Sequence, residues 1–149
     1  MSDTDLSVVL SFDGSMLYEP DNATPTAAGV GYVVRSGRPL VEGAQGLSAF
    51  VSSTHVEYRA LVAGARAVAN LHAHREVVGV HVEGDAAAVI EAADPDHPAV
   101  PGDDVMRRRV RTVRRRLSFA PTVTYRHVGR ERVRRAHELA RRGVSRGSG

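Results

Sequence analysis

The first third of the chain is built from short apolar runs that end in turn residues. The run SVVLSF, residues 7–12, predicts a β-strand that stops at Asp13-Gly14, a pair typical of turns. AAGVGYVVRSG and RPLVEGAQGLSAF follow, and their junction at Ser36-Gly37 is typical of a hairpin. We therefore expect three antiparallel strands at the start of the chain.

The spacing of apolar positions then becomes helical. SSTHVEYRALVAGARAVANLHAH predicts a long helix, and Thr54 with Glu57 three residues later matches a capping box. VVGVHVEGD predicts a buried fourth strand, AAAVIEAA a short helix, DVMRRRVRTVRRRLSF an arginine-rich helix, TVTYRHV a fifth strand and RVRRAHELARRG a last helix. This order predicts an α/β fold in which helices flank a five-stranded mixed sheet.

The length and composition indicate one domain. The chain has 149 residues, 42% of them hydrophobic, and we place the domain at residues 1–143, with 144–149 as a disordered tail. The absence of cysteine excludes disulfides, thiolate metal sites and cysteine nucleophiles. The N-terminus is acidic where a secretory signal would be basic, and no apolar run approaches the roughly 20 residues that span a bilayer. We therefore expect a cytoplasmic protein without a membrane span.

Charge is divided unevenly along the chain. All 20 basic residues are arginine, and residues 105–149 hold fifteen of them against two glutamates, whereas residues 1–104 are acidic overall. This asymmetry favours a polyanionic partner, the alternative being a solvated face neutralised by the acidic remainder. In the arginine-rich helix, Arg108, Arg111 and Arg115 lie off the apolar stripe, so we expect them to contact phosphates.

Three acidic residues occupy positions suited to metal chemistry. Asp13 follows the first predicted strand, Asp85 follows the fourth, and Glu57 lies in the first turn of the long helix. If the first and fourth strands are parallel neighbours, both aspartates emerge at one edge of the sheet. Clustered carboxylates repel one another unless they hold hard divalent cations. Two such ions about 4 Å apart can activate water for phosphodiester hydrolysis.

Each of these acids also has a local structural alternative. Asp13 before glycine is a common turn residue, and Glu57 can simply close its capping box. Asp85 can cap the short helix that follows it. Their joint arrangement favours the shared site over three separate explanations.

Four short segments carry a family resemblance. SFDGS, HVEYRAL, VEGDAAAVI and VGRERVRRAHELA, in this order over residues 7–141, resemble ribonuclease H of type 1. The resemblance implies a ribonuclease H-like fold that cleaves the RNA strand of RNA–DNA hybrids with four acids and two Mg²⁺ ions. The first three acids of the family match Asp13, Glu57 and Asp85. The position of the fourth acid holds His137.

His137 is the main departure from the family pattern. Imidazole is neutral and softer than carboxylate, so it favours Mn²⁺ over Mg²⁺. We expect His137 to act as a catalytic-site ligand of the second ion. The alternatives are a core histidine with satisfied nitrogens, or a decayed site in a nucleic-acid-binding module of the same fold. A further alternative is a domain that binds an acidic protein through the arginine-rich helix.

The resemblance also indicates residues that contact the hybrid. Gly14 and Ser15 are expected to face the RNA backbone, and Ser53 and Thr54 stand where the family commonly has two asparagines. Arg130 matches an arginine of the last motif. The sequence therefore predicts a metal-dependent endoribonuclease that uses two Mg²⁺ or Mn²⁺ ions on an RNA–DNA hybrid. No obligate protein partner is inferred.

Overall fold

Five strands form one mixed sheet at the centre of the molecule. The structure is a computed structural model, and it describes residues 5–18, 25–48, 52–97 and 100–147. The strands are β1 (Leu6–Tyr18), β2 (Pro25–Ser36), β3 (Arg38–Leu47), β4 (Val77–Gly84) and β5 (Thr122–His127), in the order β3-β2-β1-β4-β5. The β1–β2 and β2–β3 pairs are antiparallel, and the β1–β4 and β4–β5 pairs are parallel. The predicted mixed sheet with three antiparallel first strands is confirmed.

Helices pack on both faces of this sheet. They are α1 (Ser53–His72), α2 (Ala87–Ala93), α3 (Asp104–Arg116) and α4 (Arg134–Gly147), and a 3₁₀ turn (Arg130–Val133) leads into α4. Among the described residues, no helix combines the length and apolar character needed to span a bilayer. The helices match the predicted order, so the ribonuclease H-like architecture expected from the sequence is confirmed.

The main core lies between the sheet and α1. Alternate residues of β1 face opposite sides of the sheet, and Leu10 and Phe12 point to the α1 side, where both are fully buried. Leu61 of α1 packs in the same cluster. A Cβ atom on Gly64 would lie 2.6 Å from Leu10 Cδ1, so this glycine lets the helix approach the strand closely. This packing brings the first two turns of α1 next to β1 at Gly14.

The opposite face of the sheet is covered by α4. A Cβ atom on Gly31 of β2 would collide with the backbone of α4 at Ala136, and Gly29 has the same role next to a later turn of the helix. Ala136 is fully buried and packs in a second apolar cluster with Val33 and Leu139. The two glycines therefore let the α4 backbone lie directly on the sheet.

Two predicted element boundaries are wrong. β1 does not stop at Asp13-Gly14 but continues to Tyr18, because this whole segment pairs with β2. The last helix does not stop at Gly143, where its predicted segment ends, but continues to Gly147. Residues 148–149 lie outside the described residues.

The predicted capping box at the start of α1 is also wrong. The N-cap residue is Ser52, whose hydroxyl oxygen accepts a hydrogen bond from the backbone nitrogen of His55 at 3.3 Å. Thr54 already lies inside the helix. The carboxylate of Glu57 is therefore not needed to close a cap, and it is engaged elsewhere.

Candidate active site

The three predicted carboxylates meet at one end of the sheet. One oxygen atom from each of Asp13, Glu57 and Asp85 lies within 4.8 Å of the others. β1 and β4 are parallel neighbours with Ser11 opposite Glu83, so the aspartates two residues further on emerge side by side. The expected gathering of the three acids at one sheet edge is therefore present in the structure.

The local alternatives for these acids do not hold. Asp13 lies inside a continuous strand rather than at a turn. Glu57 accepts a hydrogen bond from Gly14 instead of closing a capping box. The N-cap of α2 is Ala86, with no side-chain hydrogen bond, so Asp85 does not cap that helix.

The two carboxylate oxygens of Glu57 have different surroundings. The backbone nitrogen of Gly14 donates to Oε1 at 3.0 Å. A Cβ atom on Gly14 would lie 3.2 Å from Oε1 and 2.8 Å from Val56 Cγ1, so a glycine is needed for this approach. Oε2 is buried and accepts no hydrogen bond from a donor of the described residues, and the Glu57 carboxyl group lies close enough to that of Asp13 to share a proton with it. Burial, followed by the charge of Asp13, raises the pKa of Glu57 to about 9.

Asp13 is the most deeply buried of the three acids, with 1% of its surface exposed. Burial raises the pKa of Asp13, a hydrogen bond with His137 opposes that shift, and the charge of Asp85 adds to it. Oδ2 of Asp13 lies 2.6 Å from Nδ1 of His137. This carboxylate is thus held between a like charge and an imidazole.

His137 stands at the edge of the site and not inside the apolar core. Its side chain is 26% exposed and contacts Asp13 through Nδ1. The close packing of α4 explains this position, because Gly31 pairs with Asp13 across the sheet and touches α4 at Ala136, the neighbour of His137. His137 lies outside the cluster formed by the three carboxylate oxygens.

A second polar cluster, which the sequence did not predict, lies around Glu83, two residues before Asp85. Glu83 is only 2% exposed, and its carboxylate accepts hydrogen bonds from Arg35 at 3.2 Å and Arg132 at 2.9 Å. Arg35 also donates to the hydroxyl of Ser11 at 2.8 Å. Since Arg132 belongs to the 3₁₀ turn before α4, Glu83 ties the start of that helix to β4. The available signal was an acidic residue within the apolar run VVGVHVEGD.

The residues predicted to contact nucleic acid lie in three places. Gly14 and Ser15 follow Asp13 within β1, Ser53 and Thr54 begin α1, and the Gly14 nitrogen is bound to Glu57. The second place is the 3₁₀ turn, where Arg130 Nε donates to Asp85 Oδ2 at 3.3 Å.

The third place is the outer surface of α3. Three arginines are exposed there: Arg108, Arg111 and Arg115. Within the described part of the chain, they form no ion pair with Asp13, Glu57 or Asp85. His55 of α1 contacts Asp103, the N-cap residue of α3, at 3.0 Å. The two helices therefore begin at the same end of the molecule.

The fold and this site define a class of protein. The sequence model of the reverse transcriptase-like family matches residues 12–143, so the chain belongs to that family. With the five-stranded sheet and its flanking helices, it is a member of the ribonuclease H-like superfamily.

Solved structures show the same fold. RNase H1 from the halophilic archaeon Halobacterium salinarum is 25% identical, with a TM-score of 0.78 over 94% of this chain and 98% of that one. The N-terminal RNase H domain of a Mycobacterium tuberculosis protein is 23% identical, with a TM-score of 0.78 over 96% of each chain. LC11-RNase H1 in complex with an RNA/DNA hybrid is 16% identical, with a TM-score of 0.79 over 96% of this chain and 100% of that one. No curated protein matches the sequence significantly.

Replacing Glu83 by glutamine is expected to lower the free energy of unfolding at pH 7 by about 1–3 kcal/mol, because two arginines lose a charged acceptor. Burial alone would raise the pKa of Glu83, but Arg132 and Arg35 hold it below its usual value. This stabilisation is therefore present above the unfolded pKa of about 4.3 and lost as the pH falls through the lower, folded pKa.

Urea denaturation of the parent and of Glu83→Gln from pH 7 down to about pH 3 measures this difference. The two curves should converge at the acidic end. Glu91→Gln makes the same chemical change on an exposed position of α2 and should stay within about 0.5 kcal/mol of the parent. A difference between the parent and Glu83→Gln that does not vary with pH would rule out the ionic role of Glu83.

Proposed function

We propose that the protein is a metal-dependent endoribonuclease that hydrolyses the RNA strand of RNA–DNA hybrids. The observation that carries this proposal is the cluster of three carboxylates, in which one oxygen from each acid lies within 4.8 Å of the others. The ribonuclease H-like fold supports it, as does LC11-RNase H1, a protein of similar fold whose structure contains an RNA/DNA hybrid.

The donor set fits hard divalent cations. Three carboxylates offer oxygen ligands of the kind that Mg²⁺ and Mn²⁺ prefer, and a cation would contact Oε2 of Glu57. Asp13 and Asp85 would flank two ions, Glu57 would hold one of them, and His137 would hold the second through a ring nitrogen. When bound, such a pair supplies a water nucleophile at neutral pH and stabilises the leaving oxygen.

The residues around the acids orient them for this role. The Gly14 nitrogen binds Oε1 of Glu57 and leaves Oε2 for a cation. Nδ1 of His137 contacts Asp13, so an ion held between these two residues would replace that contact. Arg130 partly neutralises Asp85.

The hybrid would contact the same end of the molecule. Gly14, Ser15, Ser53 and Thr54 would face the RNA strand beside the carboxylates, where the 2′-hydroxyl distinguishes RNA from DNA. The exposed arginines of α3, together with Arg130, would bind phosphates. On α3 these residues are Arg108, Arg111 and Arg115.

A second candidate function is a non-catalytic module that binds nucleic acid. It is favoured by the 2.6 Å contact between His137 and Asp13, since an imidazolium at this position would neutralise Asp13 and oppose a cation. The nuclease is the better supported of the two, because the three carboxylate oxygens still gather within 4.8 Å of one another beside this contact.

Incubation with an end-labelled RNA–DNA hybrid in Mg²⁺ and, separately, in Mn²⁺ is expected to yield internal cuts in the RNA strand only. Asp13→Asn and Asp85→Asn should each slow cleavage by more than about a hundredfold, because even the outer partners of metal ligands cost roughly 10–100-fold when lost. Asp96→Asn, on an exposed position outside the carboxylate cluster, is the matched control. Hybrid binding without cleavage in either metal would favour the second candidate, and undiminished cleavage by both variants would refute the metal assignment.

His137→Asp is expected to raise activity in Mg²⁺ relative to Mn²⁺, because Mg²⁺ prefers hard oxygen ligands in near-octahedral geometry. Rates on the same hybrid in each metal give the ratio, and His137→Ala separates loss of a ligand from gain of a carboxylate. Thermal melts with and without metal check the fold, since an added buried carboxylate costs stability. If His137→Asp gains nothing in Mg²⁺ and His137→Ala keeps the parental rate in Mn²⁺, His137 is not a ligand.

A further inference from the structure

α4 covers only part of its side of the sheet. The helix lies against β2, where a Cβ atom on Gly31 would collide with its backbone, whereas Thr122, Thr124 and Arg126 of β5 are exposed. These three residues face the α4 side, because Arg126 pairs with Glu83 and alternate residues of a strand share a face. We call this surface the open sheet face, and it consists of Ser7, Val9 and Ser11 of β1, Gly79, His81 and Glu83 of β4, and Thr122, Thr124 and Arg126 of β5.

The open sheet face carries an excess of positive charge. Glu83 accepts hydrogen bonds from Arg35 at 3.2 Å and from Arg132 at 2.9 Å, so each of its two oxygens already has an arginine partner. Arg126 is in register with Glu83, yet within the described part of the chain it forms no ion pair. Glu83 is the one acidic residue on this face. Three arginines therefore meet one carboxylate, and the Arg126 guanidinium is available for an anion.

The groups around Arg126 suit a sugar–phosphate backbone. Thr122 and Thr124 are exposed on the same strand, and Oγ1 of Thr124 lies 2.6 Å from Nδ1 of His81. Arginine and threonine side chains are among the groups that contact phosphate and sugar oxygens. Bases are usually held by stacking on aromatic rings, but Tyr125 of β5 packs against the main core instead. The open sheet face therefore favours contacts with phosphates over contacts with bases.

The open sheet face adjoins the carboxylate site. Glu83 precedes Asp85 by two residues, a distance of about 7 Å along an extended chain. Arg132 belongs to the same 3₁₀ turn as Arg130, whose Nε donates to Asp85. A nucleic-acid strand held at the carboxylates therefore has this face as a neighbouring surface.

The position of the face favours a single strand over a duplex. α3 lies on the α1 side of the sheet, because its Val110 and Val113 belong to the main core, whereas the open sheet face lies on the α4 side. Duplexes are stiff over the width of one domain, with a persistence length of about 50 nm for DNA. A duplex that contacts α3 therefore does not bend around the end of the sheet, but a flexible single strand can follow this path.

We propose that the open sheet face binds the phosphates of a single-stranded extension of the RNA strand, with Arg126 as the main contact and Arg35 and Arg132 as supporting charges. This inference rests on the proposed function, since RNA is the strand that the carboxylate site would hold. It adds a preferred substrate, which is a hybrid whose RNA strand continues beyond the duplex.

Fluorescence anisotropy of the full chain in EDTA, where metal-dependent cleavage is absent, tests this proposal. The probes are a blunt RNA–DNA hybrid and the same hybrid with a single-stranded extension of about ten nucleotides, a length typical of single-strand sites. The extension is placed at either end of the RNA strand or, for comparison, on the DNA strand. An RNA extension at one of the two ends should tighten binding by roughly tenfold, as two or three exposed ion pairs would.

Arg126→Gln should reduce this gain by about threefold, because one phosphate contact is lost. It should also reduce the added slope of log affinity against log salt by about 0.7, and leave the affinity for the blunt hybrid within about twofold of the parent. Arg126→Glu reverses the charge and should abolish the gain.

Arg38→Gln is the matched control. Arg38 is exposed on β3, at the opposite edge of the sheet from β5, so the same chemical change there should leave the gain intact. Thermal melts of all variants check that they fold, as expected for substitutions at exposed positions.

An RNA extension that gives no gain at either end, for a parent that binds the blunt hybrid, would overturn this inference and leave the proposed function standing. Equal loss of the gain in Arg126→Gln and Arg38→Gln would overturn it as well. Absence of binding to every probe, both in EDTA and for Asp13→Asn in Mg²⁺, would contradict the proposed function too.

Two further results would reassign the face. Equal weakening of the blunt and the extended hybrid by Arg126→Gln would place Arg126 in the duplex interface, and an equal gain from a DNA extension would refute the assignment to the RNA strand. Polyglutamate that removes the gain as effectively as single-stranded RNA of equal charge would indicate an acidic protein as the occupant.

Discussion

The repulsion among three clustered carboxylates, of which Asp13 is fully buried, is the constraint on which the proposed site depends. The parallel pairing of β1 and β4 brings Asp13 and Asp85 side by side, and the packing of α1 adds Glu57. Burial raises the pKa of Asp13 and of Glu57, so the protein alone does not favour their charged forms. A bound divalent cation would favour the charged forms of both acids. It would also contact the Glu57 oxygen that accepts no hydrogen bond from a donor of the described residues.

The packing of α4 on the sheet fixes the position of His137 relative to Asp13. Gly31 lets α4 lie on the sheet beside Asp13, and this close packing carries His137 to the carboxylate. Glu83 fixes the turn before α4 to β4 through Arg132. Stability and site geometry are therefore coupled here, since both rest on the position of α4.

Strand alternation and helical spacing were enough to predict the mixed sheet and the order of its elements. The positions of Asp13, Glu57 and Asp85 along these elements predicted the cluster of acids, and the family resemblance matched the same three residues. Local signals failed where tertiary contacts outweigh them. Asp13-Gly14 has the composition of a turn, yet the glycine is there to admit Glu57 against the strand. The arginines of α3 are alike in sequence, and only packing separates the exposed Arg108 from Arg109, whose Nε is buried.

Direct measurement of Mn²⁺ binding tests the central claim, that the carboxylate cluster holds a divalent cation. Free Mn²⁺ can be followed by electron paramagnetic resonance as it is titrated into the protein without nucleic acid. The account predicts saturable binding of at least one ion, weakened by at least about tenfold in a folded Glu57→Gln variant, as for loss of a partner in a metal site. Absence of saturable binding, or equal binding by the parent and Glu57→Gln, would contradict it.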